Sequence, residues 1–324
     1  MTAPTAADLF EDHRSVLTGV AYRMLGRVTD AEDVVQEAWL RWSARERESV
    51  RDPRAFLVRI TTRLALDRLR QIQARREAYV GPWLPELIAT EFGPVVPDTV
   101  EQAMLADSVS LAVLVVLESL SPLERAVFVL REAFGFPFAE IAATLDRSEP
   151  AVRQLAGRAR RHVDERKPRY DVDPVHRRDL TERFMAAAGG GDLDSMLALL
   201  APDVRFIGDS GGKSKAPTRI IESADKVGRF LYAVSHEGGP DSEFLIREIN
   251  GGPAVLVLYG GKPDSVLQLD VLDGRVHCVY VVRNPDKLTA LIREVERAQG
   301  EGSGSGEERD PRAGREEYVD HSPG

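Results

Sequence analysis

The 324-residue sequence has one cysteine, 6% aromatic residues and no long apolar run. A single cysteine, Cys278, excludes disulfide frameworks and cysteine-rich zinc sites, and the six histidines lack the spacing of metal ligands. The longest apolar run, Leu111–Leu117, is far shorter than the roughly 20 residues of a membrane-spanning helix. No basic flank precedes an apolar stretch after Met1, so we expect no secretory signal. These absences predict a cytoplasmic chain without a metal, a cofactor or a membrane contact.

The charge is divided unevenly along the chain. The net charge of −9 would by itself disfavour a nucleic-acid partner. Residues 1–170 carry 24 basic and 25 acidic side chains (net −1), which leaves 19 and 27 (net −8) for residues 171–324. Within the first part, residues 41–76 hold eleven basic and four acidic side chains (net +7), and residues 147–169 hold eight and three (net +5). Because salt screens charges beyond about 8–10 Å, a phosphate backbone would respond to these clusters.

Residues 8–79 have the pattern of a helical domain. Thr29-Asp30-Ala31-Glu32 has the spacing of a capping box, which predicts Thr29 as the N-cap of a helix. Apolar residues then recur at helical spacing as far as Trp42 and predict one buried face. Three polar side chains lie on the opposite face: Asp33, Gln36 and Glu37. A further helix is expected to open at Asp52-Pro53 and to present its arginines to solvent or to a partner.

Residues 80–105 are rich in glycine and proline, which predicts a linker. Its segment Trp83-Leu84-Pro85-Glu86 is apolar enough to act as a packed clip. Residues 106–167 return to a helical pattern, with a second capping box at Ser121-Pro122-Leu123-Glu124. Two short helices joined at Asp146-Arg147, the second capped by Ser148 and rich in arginine, predict a helix-turn-helix.

Residues 175–296 change to an α+β pattern. Two helices and a strand come first, and period-two runs then predict antiparallel strands, two of them joined by a hairpin at Asp273-Gly274. Residues 300–324, with glycine–serine repeats and mixed charge, predict a disordered tail. The predicted fold class is therefore multidomain, with two all-α domains followed by an α+β domain.

The helical part resembles the extracytoplasmic-function (ECF) class of bacterial RNA polymerase σ factors. Asp30 to Leu40 resembles the region 2 helix that docks on the polymerase β′ clamp in that family. Pro53 to Arg70 is similar to the next helix, which reads and melts the minus-ten promoter element. Leu120 to Arg161 resembles region 4, a helix-turn-helix that reads the minus-thirty-five element and meets the β flap. The resemblance covers 8–166 in the family's order.

This resemblance implies a σ factor whose partners are RNA polymerase core and promoter DNA. The implied polymerase-binding residues are Asp30, Asp33, Gln36 and Glu37. The implied DNA-binding residues are Arg54, Phe56, Arg59, Arg63, Arg70, Ser148, Arg153, Gln154, Arg158 and Arg161. The unstacked bases are expected at the irregular segment 43–51, because opening a duplex requires surfaces that hold single-stranded bases.

The last domain resembles a SnoaL-like cone of the NTF2-like group, the C-terminal extension of the SigJ-like subgroup of ECF factors. In that subgroup the extension is taken to regulate the σ factor in place of a separate anti-σ protein. The resemblance implies interdomain regulatory contacts by Trp83, Leu84, Pro85, Glu86, Asp209, Gly211, Gly212, Lys213, Asn284, Pro285, Asp286, Lys287 and Leu288. Ser210 departs from the subgroup's pattern, which has glycine there. The sign of the regulation stays open.

Other interpretations remain at this stage. Asp203, Asp209 and Asp270 are the candidate carboxylates for chemistry in the C-terminal domain. No pair has a spacing suited to acid–base work, so the sequence predicts no enzyme, and an unidentified small ligand of the cone stays open. A solvated helix face equally explains Asp33, Gln36 and Glu37. A DNA-binding repressor would need only residues 120–166 and would leave 8–79 unexplained.

Overall fold

The computed structural model describes residues 5–45, 50–76, 79–88, 110–165, 174–190, 192–237, 241–289 and 291–292. We call residues 5–76 the N-terminal domain, residues 110–165 the middle domain and residues 174–292 the C-terminal domain. The expectations for 46–49, for linker residues 89–105 and for the tail at 300–324 lie outside the described residues. Among those described, no helix is both long enough and apolar enough to cross a bilayer.

The N-terminal domain consists of three mutually packed helices, α1 (Ala6–Leu25), α2 (Val28–Ser43) and α3 (Pro53–Arg76). Trp42 is 1% exposed and donates its indole N–H to the Ala6 carbonyl at 2.9 Å, so it belongs to the core. The predicted N-cap, Thr29, is wrong. Helix α2 begins at Val28 after an extended Arg27 whose side chain makes no capping bond, because the cap comes from a distant part of the chain.

The middle domain consists of α4 (Leu111–Leu117), α5 (Pro122–Phe128), a π-helical turn (Val129–Ala133), α6 (Phe138–Leu145) and α7 (Glu149–Asp164). The capping box at Ser121 and the N-cap at Ser148 are confirmed. Asp146 ends α6 in the left-handed region at φ 55°, a conformation that short polar side chains tolerate. The turn therefore forms without glycine, and α6 and α7 make the expected helix-turn-helix.

The N-terminal and middle domains share one hydrophobic core. Helix α3 packs against α5 and α6, and α1 packs against α4 and the π-helical turn. Arg125 is fully buried at this junction and donates Nη1 to the Met24 carbonyl and to the Glu118 carboxylate, each at 2.8 Å. The two domains therefore lie in direct contact.

The C-terminal domain is α+β, with α8 (Pro174–Gly189), α9 (Leu193–Leu199), β1 (Leu200–Asp209), β2 (Ile221–Glu222), α10 (Ala224–Glu237), β3 (Ser242–Ile249), β4 (Gly252–Tyr259), β5 (Lys262–Leu272) and β6 (Arg275–Val282). The sheet order is β2-β1-β6-β5-β4-β3. The expected run of antiparallel strands is confirmed for β3 to β6. The earlier strand β1 runs parallel to β6, because the chain crosses over through α10 and β3–β5 before it returns beside β1. Asp273 and Gly274 both have positive φ, as their hairpin requires.

The two faces of this sheet pack against different parts of the chain. Helices α8, α9 and α10 cover one face with residues such as Phe184, Met196 and Val227. The other face packs against Leu84 and Leu87 of the linker and Leu111 of α4. Linker residues thus complete a core of the C-terminal domain.

Candidate functional site

Helix α2 presents an acidic stripe to solvent, formed by Asp33, Gln36, Glu37 and Leu40. These positions follow i, i+3, i+4 and i+7 spacing, so they share one face of the helix. The Asp33 side chain is 71% exposed and Leu40 is 54% exposed. The sequence analysis missed Leu40, although its spacing from Asp33 was visible. A single exposed leucine is common on protein surfaces, so its helical spacing from Asp33, and not its exposure, places Leu40 on this stripe.

Asp30, the fourth implied polymerase contact, faces inward. It is 4% exposed, and its Oδ1 accepts hydrogen bonds from Arg68 Nε at 2.8 Å and Arg68 Nη2 at 2.5 Å. Its Oδ2 lies 3.5 Å from Arg27 Nε. Buried charges are retained when they are paired in this way, so Asp30 is an internal group rather than part of the acidic stripe.

Four of the five implied DNA-binding residues of α3 lie at the junction with the middle domain. Arg63 Nε donates to the Thr144 carbonyl at 3.0 Å, and the Arg54 guanidinium lies 5.2 Å from the Phe136 ring centre. Phe56 and Arg59 line a cleft of about 370 Å³ between α3 and α6. Arg70 lies away from this junction, 57% exposed and 2.9 Å from Asp67.

The second helix of the helix-turn-helix, α7, holds Arg153 in a defined orientation. Its Nη2 lies 2.5 Å from a Glu149 carboxylate oxygen, and its guanidinium lies 4.5 Å from the Phe138 ring centre. Arg131 stacks on the same ring at 4.7 Å. Gln154 is exposed beside Arg153, whereas the Ser148 hydroxyl accepts the Ala151 N–H as the helix cap.

The remaining arginines of α7 pair with groups of their own domain. Arg158 lies 3.2 Å from Glu124, and Arg160 lies 2.6 Å from Glu132. Arg161 donates to the Gly157 carbonyl at 3.3 Å. Exposed ion pairs contribute only about 0–1 kcal/mol, so phosphate groups can replace these acidic partners at little cost.

A buried ion pair joins the linker to the C-terminal domain. Asp209 and Lys287 have side chains 0% and 4% exposed, with Oδ2 and Nζ 2.5 Å apart. Lys287 also donates to the Leu84 carbonyl, and its ammonium lies 3.9 Å from the Trp83 ring centre. A cation in this position is paired, hydrogen-bonded and stacked at once.

The same carboxylate organises the rest of this junction. Asp209 accepts the Leu84 N–H at 2.7 Å and the Tyr79 hydroxyl at 2.5 Å, and Asn284 Nδ2 donates to the Tyr79 oxygen at 2.8 Å. Burial and the adjacent Asp209 carboxylate raise the pKa of Tyr79, so its hydroxyl stays a donor. We call this set the latch: Tyr79, Trp83, Leu84, Asp209, Asn284 and Lys287. Sequence reasoning missed Tyr79, which lies just before the predicted linker.

The loop after β1 requires glycine because it approaches the latch closely. Gly211 has φ 56°, and a Cβ there would lie 2.6 Å from Asn284 Nδ2 and 2.8 Å from the Tyr79 hydroxyl oxygen. Gly212 has φ 73°. Ser210 is not in a left-handed conformation, so serine fits where the subgroup has glycine. Lys213 pairs with Asp286 at the exposed rim.

Comparisons with known proteins agree with this geometry. Residues 9–76 match the family described as Sigma-70 region 2, and residues 110–163 match Sigma-70, region 4. The chain is 40% identical over 306 residues to the ECF RNA polymerase sigma factor SigJ of Mycobacterium tuberculosis, which covers 91% of this chain and 97% of that one. The chain belongs to the ECF family of RNA polymerase σ factors.

Two further comparisons extend over most of this σ factor. It is 34% identical over 287 residues to the probable ECF RNA polymerase sigma factor SigI of M. tuberculosis, covering 87% and 94% of the two chains. The crystal structure of M. tuberculosis SigJ aligns with a TM-score of 0.70 at 39% identity, covering 87% of this chain and 97% of that chain. Helical σ domains followed by a mixed-sheet domain are thereby confirmed.

The σ factor has a second linker junction near Asn250, in the β3–β4 turn. Asn250 Nδ2 donates to the Tyr22 hydroxyl at 2.8 Å, and that hydroxyl donates to the Glu86 carbonyl at 2.7 Å. The backbone N–H of Asn250 donates to the Ile88 carbonyl at 2.8 Å. This junction ties α1, the linker and the C-terminal domain together. Neither Tyr22 nor Asn250 was expected, because Asn250-Gly251-Gly252 reads simply as a turn.

The three candidate carboxylates of the C-terminal domain lie in different places. Asp209 belongs to the latch, and Asp203 is 83% exposed, 3.6 Å from His277. Asp270 is half-buried, and desolvation raises its pKa to about 6 although His277, Arg205 and Arg177 oppose the shift. Burial raises the pKa of the neighbouring Cys278 thiol to about 12, so it remains protonated.

Proposed function

We propose that this σ factor directs RNA polymerase core to a subset of promoters and is restrained by its own C-terminal domain. The role is non-enzymatic and belongs in the cytoplasm, where polymerase and chromosome meet. The observation that carries the proposal is the position of the linker. Leu84 and Leu87 at one end and Leu111 at the other are buried in one core of the C-terminal domain.

Both ends of the linker are therefore held on the same sheet face. The N-terminal domain precedes the first end and the middle domain follows the second, so the C-terminal domain limits how far the two can separate. The minus-ten and minus-thirty-five elements are about 25 base pairs apart, which is roughly 85 Å at about 3.4 Å per pair. Domains in direct contact through α3 and α6 do not span that distance.

The contact between the N-terminal and middle domains also engages part of the face of α3 that we assign to the promoter. Arg63 is bonded to Thr144, and Arg54 stacks on Phe136. Both arginines remain exposed, but in this arrangement their guanidinium groups contact the middle domain. This supports a resting state that must open before the σ factor reads a promoter. The sign that we propose for the C-terminal domain is accordingly inhibitory.

The acidic stripe of α2 remains exposed in the resting state. We assign Asp33, Gln36, Glu37 and Leu40 to the β′ clamp, and the middle domain to the β flap. Arg153 and Gln154 are proposed to read bases, since arginine and glutamine form paired hydrogen bonds with guanine and adenine. Arg158 and Arg161 are proposed to hold phosphates.

In vitro transcription with core polymerase tests this function. The full chain is compared with the latch variant Lys287→Met and with the rim variant Asp286→Asn on a pool of candidate promoters. We expect more transcript from Lys287→Met than from the other two. Less transcript from a folded Lys287→Met would mean that the latch supports activity. No transcript and no core binding from any of them would contradict the σ function.

A second candidate function is ligand sensing by the C-terminal domain. The buried Gln268 donates Nε2 to the Ile249 carbonyl at 2.9 Å, whereas its Oε1 has no hydrogen-bond partner among the described residues. It lies on the same sheet face as Asp270. Thermal melts of the full chain with and without a cellular small-molecule extract test this candidate, with Asp270→Asn as the control. A shift lost in that variant supports sensing, and no shift contradicts it.

A further inference from the structure

The first turn of α2 takes its cap from the linker. The N–H groups that open a helix need partners from outside it, and Arg27, the N-cap residue, supplies none from its side chain. Glu86 Oε2 accepts the Val28 N–H at 2.8 Å. A carboxylate at this position also interacts favourably with the helix dipole. Glu86 therefore performs the role that the sequence assigned to Thr29.

A chain of ion pairs runs from the same carboxylate to the acidic stripe. Glu86 Oε1 lies 3.0 Å from Arg27 Nε, which lies 3.5 Å from Asp30 Oδ2. The Asp30 carboxylate bonds Arg68, whose Nη2 lies 3.7 Å from Asp33 Oδ2. The first acid of this chain is buried in the linker, and the last is exposed on the acidic stripe.

The position of Glu86 depends on the C-terminal domain. Leu84 and Leu87, on either side of it, are 0% exposed within a core that consists mainly of C-terminal residues. The Glu86 N–H donates to the Gly26 carbonyl at 2.8 Å, at the end of α1. With the linker seated on the sheet in this way, its carboxylate reaches the start of α2.

We propose that Glu86 is a positioning residue for the polymerase-binding surface, because it caps α2 and anchors the ion pairs that end at Asp33. This inference rests on the proposed function. It gives the seated C-terminal domain two effects, since the acidic stripe is ordered while arginines of α3 remain in contact with the middle domain. Core polymerase therefore binds the closed chain first, and promoter recognition follows opening.

The test measures core-polymerase affinity and amide hydrogen exchange on the full chain. The variants are Glu86→Gln and Arg27→Gln, and the matched control is Glu32→Gln, which removes an exposed carboxylate from the first turns of α2. Losing a helix cap corresponds to about 3- to 30-fold in an equilibrium constant. We expect weakening in that range for Glu86→Gln, less for Arg27→Gln and under about twofold for the control. The Val28 amide should exchange faster in Glu86→Gln.

The inference is overturned if Glu86→Gln binds core polymerase as tightly as Glu32→Gln and its Val28 amide is still protected from hydrogen exchange. The Leu84 amide, which bonds Asp209, reports whether the linker stays seated. If the Leu84 amide becomes exposed in Glu86→Gln, the Arg27→Gln variant distinguishes the outcomes. Weakened binding of core polymerase by Arg27→Gln supports the chain of ion pairs, and unchanged binding overturns the inference.

Asp33→Asn separates this inference from the proposed function. Weaker core binding by Asp33→Asn with an unaffected Glu86→Gln would overturn only the positioning role. Unaltered binding by Asp33→Asn would instead remove the acidic stripe from the proposed polymerase interface.

Discussion

The latch between the linker and the C-terminal domain and the contact between the N-terminal and middle domains differ in how fully their polar groups are matched. At the latch, Asp209 accepts hydrogen bonds from three different groups, and Lys287 is paired, hydrogen-bonded and stacked. At the middle domain, Nε and Nη2 of the buried Arg125 have no hydrogen-bond partner among the described residues. A cleft of about 370 Å³ also lies between α3 and α6.

This difference indicates which interface opens. Leaving a buried polar group without a partner costs about 1–3 kcal/mol, and unfilled space forfeits packing contacts. The interface that contacts the arginines of α3, which we propose to read the promoter, is therefore the less optimised one. We infer that α3 and α6 separate before the linker leaves the C-terminal domain.

The largest effect should come from breaking the latch. Lys287→Met leaves the Asp209 charge buried without its partner, which lowers the free energy of unfolding by about 3–5 kcal/mol. Urea unfolding of the full chain measures the change. The rim pair of Lys213 and Asp286 is half-exposed, so Asp286→Asn should cost under about 1 kcal/mol. Equal losses in both variants would contradict the tight matching of the buried latch pair.

A slightly smaller effect is expected from the apolar half of the same junction. Leu84→Ala leaves a cavity in the C-terminal core and should lower the free energy of unfolding by about 2–5 kcal/mol. The same truncation at the exposed Leu40 should change it by less than about 0.5 kcal/mol. A Leu84→Ala loss as small as that of Leu40→Ala would show that the linker is not part of this core.

The comparison between well-matched and poorly matched polar groups extends to Asp270 of the C-terminal domain, whose carboxylate is poorly matched by its surroundings. Its folded pKa of about 6 lies above the ordinary 3.8, so its stabilising contribution is present below about pH 4 and disappears as the pH rises through 6. At pH 7, Asp270→Asn should be more stable than the natural chain by about 1–3 kcal/mol.

The unfolding free energy of Asp270→Asn should accordingly vary less between pH 4 and 6 than that of the natural chain. The exposed Asp203→Asn serves as the control and should retain the natural slope. If the unfolding free energy of Asp270→Asn varies with pH as much as that of the natural chain, Asp270 is not the group that titrates.

The smallest effect on stability is expected at the interface between α3 and α6, which we infer to open. Arg63→Gln removes the bond to the Thr144 carbonyl and should lower the free energy of unfolding by only about 1 kcal/mol. Energy transfer between dyes on the N-terminal and middle domains should nevertheless report a larger separation. The exposed Arg70→Gln should leave both quantities unchanged. No change in separation for Arg63→Gln would mean that other contacts hold this interface.

Elements built from local contacts could be predicted closely from the sequence. The bounds of α6, the turn at Asp146 and the N-cap at Ser148 agree with expectation, because a cap and an apolar period act within one or two turns. The cap of α2 was assigned wrongly for the opposite reason. Its carboxylate comes from Glu86, 58 residues further along the chain.

For the candidate site, too, the sequence predicts some features and leaves others to the tertiary structure. The acidic stripe, the arginines of α3 and α7 and the three latch motifs can be located from residue types and spacing. Their surroundings cannot, because Asp30 becomes buried only where α2 meets α3, and Arg54 and Arg63 find partners in the middle domain only where α3 packs against it.

The identity of the σ domains and their order thus follow from local patterns that the chain carries in any conformation. The state of those domains depends on contacts such as Lys287 with Asp209, 78 residues apart, and Tyr79 with Asp209, 130 residues apart. Such pairs form only when distant parts of the chain pack together, and no periodicity or motif encodes which distant groups will meet. Tertiary structure therefore decides that the linker is a core element and that arginines of α3 contact the middle domain.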